Sequence, residues 1–148
     1  MFVFKFEKIL KIKEDLIKKY MLEIANIEAI IREKIEYRKN LEYENSIRKR
    51  KIDEILQKEP DRETLLFIQE NIDRVYDEIK YVNGVVDKLK EEKAKILEIV
   101  KSLNIEKKKL EKLKEKEYEH YTKEEAKKEM RFLDEIASIK AANNRANN

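Results

Sequence analysis

His120 is the only histidine of this chain, and there is no cysteine. No Cys-based zinc site, thiolate nucleophile or disulfide framework can therefore be built. His120 stands in "YEHYTKE" without a second imidazole to share a metal ion, and it reads as a surface or seam residue. Gly84 is the only glycine, which leaves no Gly-rich phosphate loop. Carboxylates are plentiful, but general acid–base work needs one of them desolvated in a concave pocket with a shifted pKa. The expectation is a chain that is not an enzyme, with no catalytic residue, no metal site and no cofactor.

The densest charge is the run "EKKKLEKLKEKE", which places Lys107, Lys108, Lys109, Lys112, Lys114 and Lys116 within about three helical turns. Such a run meets phosphates in some proteins. Here glutamates alternate with the lysines and no aromatics interleave to stack on bases, so it reads as a solvated face. A nucleic-acid-binding arm is kept as a lesser alternative. Over the whole chain, 35 basic and 32 acidic side chains leave a net charge of only +3. They are interleaved, as in the i,i+4 pairs Glu7 with Lys11 and Glu28 with Arg32.

The elements that must position these side chains are helices. With 45% charged residues, one glycine and one proline, the composition is that of long helices and coiled coils, not of a layered domain. From Leu65 an apolar series runs Leu65, Ile68, Ile72, Val75, Ile79, Val82, Val86, Leu89, Lys93, Ile96, Val100, Leu103, Lys107 and Leu110. Its mean spacing of 3.5 keeps one seam facing a partner over many turns. The first half gives a weaker series of Val3, Phe6, Leu10, Lys13, Ile17, Tyr20, Ile24, Ile27, Ile31, Lys34, Arg38, Leu41, Asn45, Arg48, Ile52 and Ile55.

Between the two series lies "QKEPDRET" with Pro60, which disfavours helix at Glu59 and suits the first turn of a following helix. The spacing predicts an all-α fold. It is a long antiparallel two-helix coiled-coil hairpin over residues 1–142, with helix 1 at about 4–57, a turn at about 58–61 and a longer helix 2 at about 61–139. Residues 143–148 are expected to be a disordered tail. The rival is a parallel dimer of one kinked helix, acting as a spacer. Gly84 follows Asn83 without a change of phase and reads as a weak point inside a continuous helix. No window approaches the roughly 18 consecutive apolar residues of a membrane span, and Lys5, Glu7 and Lys8 interrupt any signal-peptide core. A cytoplasmic protein without direct membrane insertion is expected.

The lapses at Lys34, Arg38, Asn45 and Arg48 would face an apolar stretch of helix 2. One reading is a stutter that turns Ile35, Tyr37, Tyr43 and Ile47 inward, and we take it as the working reading. The other leaves Tyr37, Tyr43, Phe67 and Tyr76 partly exposed as a binding patch, since aromatics are common interface anchors. Helix 2 also overhangs helix 1. Its stripe of Met130, Leu133, Ile136 and Ala137, beside Phe132 and Ile139, either frays or finishes its burial on another protein. The opening "MFVFKFEKIL" alternates like a strand, but its phase joins the heptad series, so it is read as helical from about Phe4. Phe2 and Phe4 would sit off the seam, within reach of Tyr118 and Tyr121.

The two ends together resemble the FliJ family, the small coiled-coil component of the bacterial flagellar type III export apparatus. "FVFKFEKILKIKEDL" is similar to that family's opening, with aromatics alternating with basic residues. "LEKLKEKEYEHYTKEEAKKEMRFLDEIASIK" resembles its closing stretch, including Glu129 and the run Leu133, Asp134, Glu135, Ile136 and Ala137, whose role is open. The resemblance implies an adaptor, monomeric when free, similar to the stalk of rotary ATP synthases. Its partners would be the hexameric flagellar export ATPase, the cytoplasmic part of the membrane export gate and the export chaperones. It would lie in the cytoplasm, peripheral to the inner membrane at the flagellar base. On this chain the ATPase-binding candidates are Phe6, Ile9, Leu10, Lys13, Ile17 and Ile24, with the facing stretch from about Ile96. The gate-binding candidates are Tyr37, Tyr43, Phe67 and Tyr76, with Tyr43 and Phe67 foremost.

Overall fold

The computed structural model describes residues 1–59 and 61–147. Two helices form it, α1 (Glu7–Gln57) and the longer α2 (Arg62–Ala146), with no strand among the described residues. Contacts between them run antiparallel, as in a hairpin: Glu7 pairs with Lys114, Lys13 with Glu106, Glu28 with Lys93, and Arg38 with Asn83. The contacts divide the chain into two compact units, Met1–Ile17 with Ser102–Asn148, and Lys18–Lys101.

The heptad series accounts for the burial. Every α2 position in it from Leu65 to Leu110 is buried or half-buried, as is every α1 position from Phe6 to Ile55. Ile31, Val82 and Val86 form a buried cluster with Ile27, Ile35 and Leu89 against it. Removing apolar surface from water along this line is the main force holding the arms together.

The polar lapses stay on the seam, and the stutter does not occur. Asn45 is only 2% exposed, whereas Tyr37, Tyr43 and Ile47 are exposed, and of the four residues a stutter would turn inward only Ile35 packs on the core. The seam tolerates Asn45 because its Nδ2 donates to the Ile72 carbonyl at 3.2 Å and its Oδ1 accepts from Arg48 Nη1 at 3.0 Å. Arg38 Nη1 donates to Asn83 Oδ1 at 2.9 Å, while its Nε is buried without a hydrogen-bond acceptor and has Glu42 Oε1 3.7 Å away. Buried polar groups cost stability unless paired. Here the long polar side chains reach their partners without any change of phase.

At the corner, Asp61 caps α2. Its Oδ1 accepts from the Glu63 N–H at 3.1 Å and its Oδ2 from the Thr64 hydroxyl at 2.6 Å, which satisfies a donor that the first helical turn leaves free. The Thr64 hydroxyl, ahead of the backbone N–H groups, holds the Asp61 carboxyl below its usual range. Pro60, expected to shape this corner, lies outside the described residues.

Both helix ends differ from expectation. α1 starts at Glu7, not Phe4. Residues 1–4 have no regular structure and a turn spans Lys5 and Phe6, closed by the Glu7 N–H to the Phe4 carbonyl at 3.3 Å. Along this segment exposure alternates: Phe2, Phe4 and Phe6 are sheltered, and Val3, assigned to the seam, is 79% exposed. The strand-like spacing thus belongs to a segment ahead of the helix whose alternate aromatics are sheltered. At the other end α2 continues through Asn143 to Ala146, where a disordered tail was expected; Asn148 lies outside the described residues.

Gly84 lies within α2 without a positive φ, and a Cβ built on it would meet nothing within 4 Å. Gly84→Ala is therefore expected to stabilise the chain by about 1 kcal/mol in a urea titration. Asn45→Leu is expected to raise the thermal midpoint, because an apolar side chain replaces a polar one on the seam. It should also weaken the preference for one register, which sedimentation would show as self-association.

Candidate functional site

Among the described residues no cluster of three or more His, Cys, Asp or Glu is placed to hold a metal ion. His120 lines an open groove of about 690 Å³ between the first residues and α2, together with Phe2, Tyr121 and Glu124. What the structure offers instead is exposed apolar and aromatic surface on the two units.

In the unit Met1–Ile17 with Ser102–Asn148, the first residues lie against α2. The Phe2 ring stands 5.3 Å from Tyr118, edge to face, and 5.5 Å from Tyr121. Phe4 is 5% exposed and meets Phe6 edge to face at 5.9 Å. Such pairs add attraction beyond the area they bury. Of the sequence candidates here, Leu10 is buried in the seam, Phe6, Lys13 and Ile17 are half-buried, and Ile9 is 45% exposed. Lys13 Nζ is bound to Glu106 Oε2 at 2.6 Å. That hydrogen bond, and then the lysine charge, hold the Glu106 carboxyl below its usual range. Ile12, which the heptad series passes over, is 58% exposed. It could have been flagged by asking which isoleucines the seam does not use.

Further along α2, Leu133 is 52% exposed and Ile136 half-buried, while Glu129, Asp134, Glu135 and Ala137 are exposed. Met130, Phe132 and Ile139 are exposed beside them. The ion pairs nearby, Lys127 with Glu124 and Lys128 with Glu125, are local to α2.

In the unit Lys18–Lys101, Ile24 is 4% exposed and belongs to the core. Tyr37, Tyr43, Phe67 and Tyr76 are all exposed, and so is Tyr81. They do not form one patch. The heptad phase sets Tyr37 and Tyr76 on opposite flanks of the seam, and Tyr43 and Phe67 on outward faces of different helices. Tyr37 OH donates to Glu78 Oε1 at 3.4 Å. Partial desolvation, followed by the charge and hydrogen bond of Glu78, raises the Tyr37 pKa. Across the other flank Lys49 Nζ donates to the Tyr76 hydroxyl and lies 4.9 Å from the ring centroid. Tyr43 and Phe67 have no such engagement and are the most open of the four.

The model of the family described as "Flagellar FliJ protein" matches residues 1–146. The chain belongs to the FliJ family. No curated protein and no solved structure shows a match. As a FliJ-family member it is a component of the flagellar type III protein export apparatus, a family without enzymatic activity of its own. The family match runs through both ends of the chain, where "FVFKFEKILKIKEDL" and the stretch through Leu133 to Ala137 lie, and through the coiled-coil middle. Among the described residues no helix of this FliJ chain is long and apolar enough to cross a membrane.

The bond between Lys13 and Glu106 gives a pH test. A carboxyl whose folded-state pKa is lowered stabilises the fold above its unfolded pKa, and that stability is lost as pH falls through the folded value. The thermal midpoint of the wild type should therefore exceed that of Glu106→Gln at neutral pH. The gap should close in acid, which a pH series of melting curves would show.

Proposed function

We propose that this FliJ-family chain is a stalk-like adaptor, in the cytoplasm and peripheral to the inner membrane at the flagellar base. It couples the hexameric export ATPase to the cytoplasmic part of the export gate and assists export chaperones. The family match over residues 1–146 carries the reading, and an antiparallel hairpin whose seam buries its own apolar line suits a part that transmits contact without catalysing a reaction.

ATPase binding falls to the unit that contains the first residues. The sequence candidates there divide by exposure. Ile9 is available to a partner, whereas Phe6, Leu10, Lys13 and Ile17 hold the seam, and Ile24 does so in the other unit. Exposed Ile12 joins Ile9 as a candidate. Gate binding falls to the other unit, with Tyr43 and Phe67 as anchors and Tyr37 and Tyr76 in supporting places. The exposed apolar residues of α2 beyond its pairing with α1, from Met130 to Ile139, are the candidates for a chaperone.

The test separates seam from surface. Ile9→Glu should weaken binding of the purified export ATPase from the same genome by about tenfold or more in calorimetry, with the thermal midpoint nearly unchanged. Ile24→Ala should cost about 2–5 kcal/mol of stability and leave ATPase affinity within about twofold at a temperature where the chain is folded. No binding of the wild-type chain would refute the reading.

A further inference from the structure

Lysines and glutamates alternate along the run from Glu106 to Glu117, yet in the folded unit only some of them pair. Three carboxylates are drawn into ion pairs: Glu106 with Lys13 at 2.6 Å, Glu7 with Lys114 at 2.9 Å, and Glu111 with Lys107 at 3.7 Å. Glu7, Glu14, Glu111 and Glu115 line one groove beside Phe2, Leu10 and Tyr118, with Lys114 among them. None of Lys8, Lys11, Lys108, Lys109, Lys112 and Lys116 lines it, and all six are exposed. Among the described residues none of the six makes an ion pair. Their heptad phases put them on the outward faces of the two helices, where the exposed acids in the same stretch are Asp15 and Glu115, the latter also lining the groove.

We infer that this outward lysine face of the unit Met1–Ile17 with Ser102–Asn148 docks on an acidic protein surface. The inference rests on the ATPase-binding reading and adds the chemistry of the contact: a carboxylate-rich collar around the bound end. Lysine suits such a surface. Its point charge on a flexible stem tolerates changes of register that a bidentate arginine pairing would not, so a stalk held by many weak, replaceable pairs can turn or shift without losing its partner. Long-range attraction of this kind acts mainly on the rate of encounter and is screened by salt. A protein is favoured over a nucleic acid because no aromatic residue interleaves with the lysines from Glu106 to Glu117 to stack on bases, and Phe2 and Tyr121, which share a groove with Lys116, are packed on each other.

The test is a salt titration of the full chain against the purified export ATPase, with circular dichroism to confirm that each variant is folded. Affinity is expected to fall about tenfold or more between 50 and 400 mM salt. The triple variant Lys109→Gln, Lys112→Gln, Lys116→Gln should bind about tenfold more weakly at 50 mM salt. The control Lys88→Gln, Lys90→Gln, Lys95→Gln makes the same change in net charge on the other unit, and should stay within about twofold of the wild type. Salt-independent binding, or equal losses in the two triple variants, would overturn the lysine face while leaving ATPase binding intact. No binding at any salt would overturn both. Displacement of the ATPase by a single-stranded RNA that binds more tightly would assign the face to nucleic acid and overturn the proposal.

Discussion

The fold depends on one line of contact. Two helices that are about half charged have little apolar surface, and a spacing of 3.5 gathers that surface on a seam each helix can close only against the other. Leu10, Ile24, Ile31 and Leu41 on α1 and Ile72, Ile79, Val82, Val86 and Val100 on α2 are buried there. All other faces are free to carry charge. The seam leaves several isoleucines exposed, and of these Ile9 and Ile12 are the ones on the first turns of α1.

The seam is not uniformly apolar, and its polar stretch has a physical logic. Asn45 reaches a carbonyl of the opposite helix and is held by Arg48 from its own; Arg38 reaches Asn83. An apolar seam of even character would allow the two arms to slide by a heptad, or would let two chains pair in parallel. A buried amide with one good partner penalises those alternatives. The same residues explain where the reading of the sequence failed. Heptad counting treats Lys34, Arg38, Asn45 and Arg48 as lapses to be repaired by a stutter. Long side chains with hydrogen-bonding tips can instead stay in phase, and only the positions of their partners on α2 reveal it.

Much of the architecture was legible in the sequence. The heptad residues from Phe6 to Ile55 and from Leu65 to Leu110 are the sheltered ones, and the corner falls where "EPD" interrupts the pattern. The opening was harder because two periods overlap there. Phe6 and Leu10 continue the heptad, while Phe2, Phe4 and Phe6 alternate ahead of the helix, Phe2 against Tyr118 and Tyr121 and Phe4 against Phe6. Of the candidate site, residue type was legible and accessibility was not. Leu10 and Ile24 are consumed by the seam, and the lysine run is only partly paired: Lys107 takes Glu111 of the same run, Lys114 takes Glu7, and Glu106 is drawn to Lys13, which leaves Lys108, Lys109, Lys112 and Lys116 without an ion pair among the described residues.

The central claim is a division of labour, in which the unit bearing the first residues meets the ATPase and the unit bearing the hairpin corner meets the gate. Site-specific photo-crosslinking in the living cell tests it directly, with a benzophenone amino acid placed at Ile9 in one strain and at Tyr43 in another, each followed by mass spectrometry of the adduct. The account predicts the export ATPase on the first and the export gate protein on the second. The same partner at both positions, or the two partners exchanged, would contradict it.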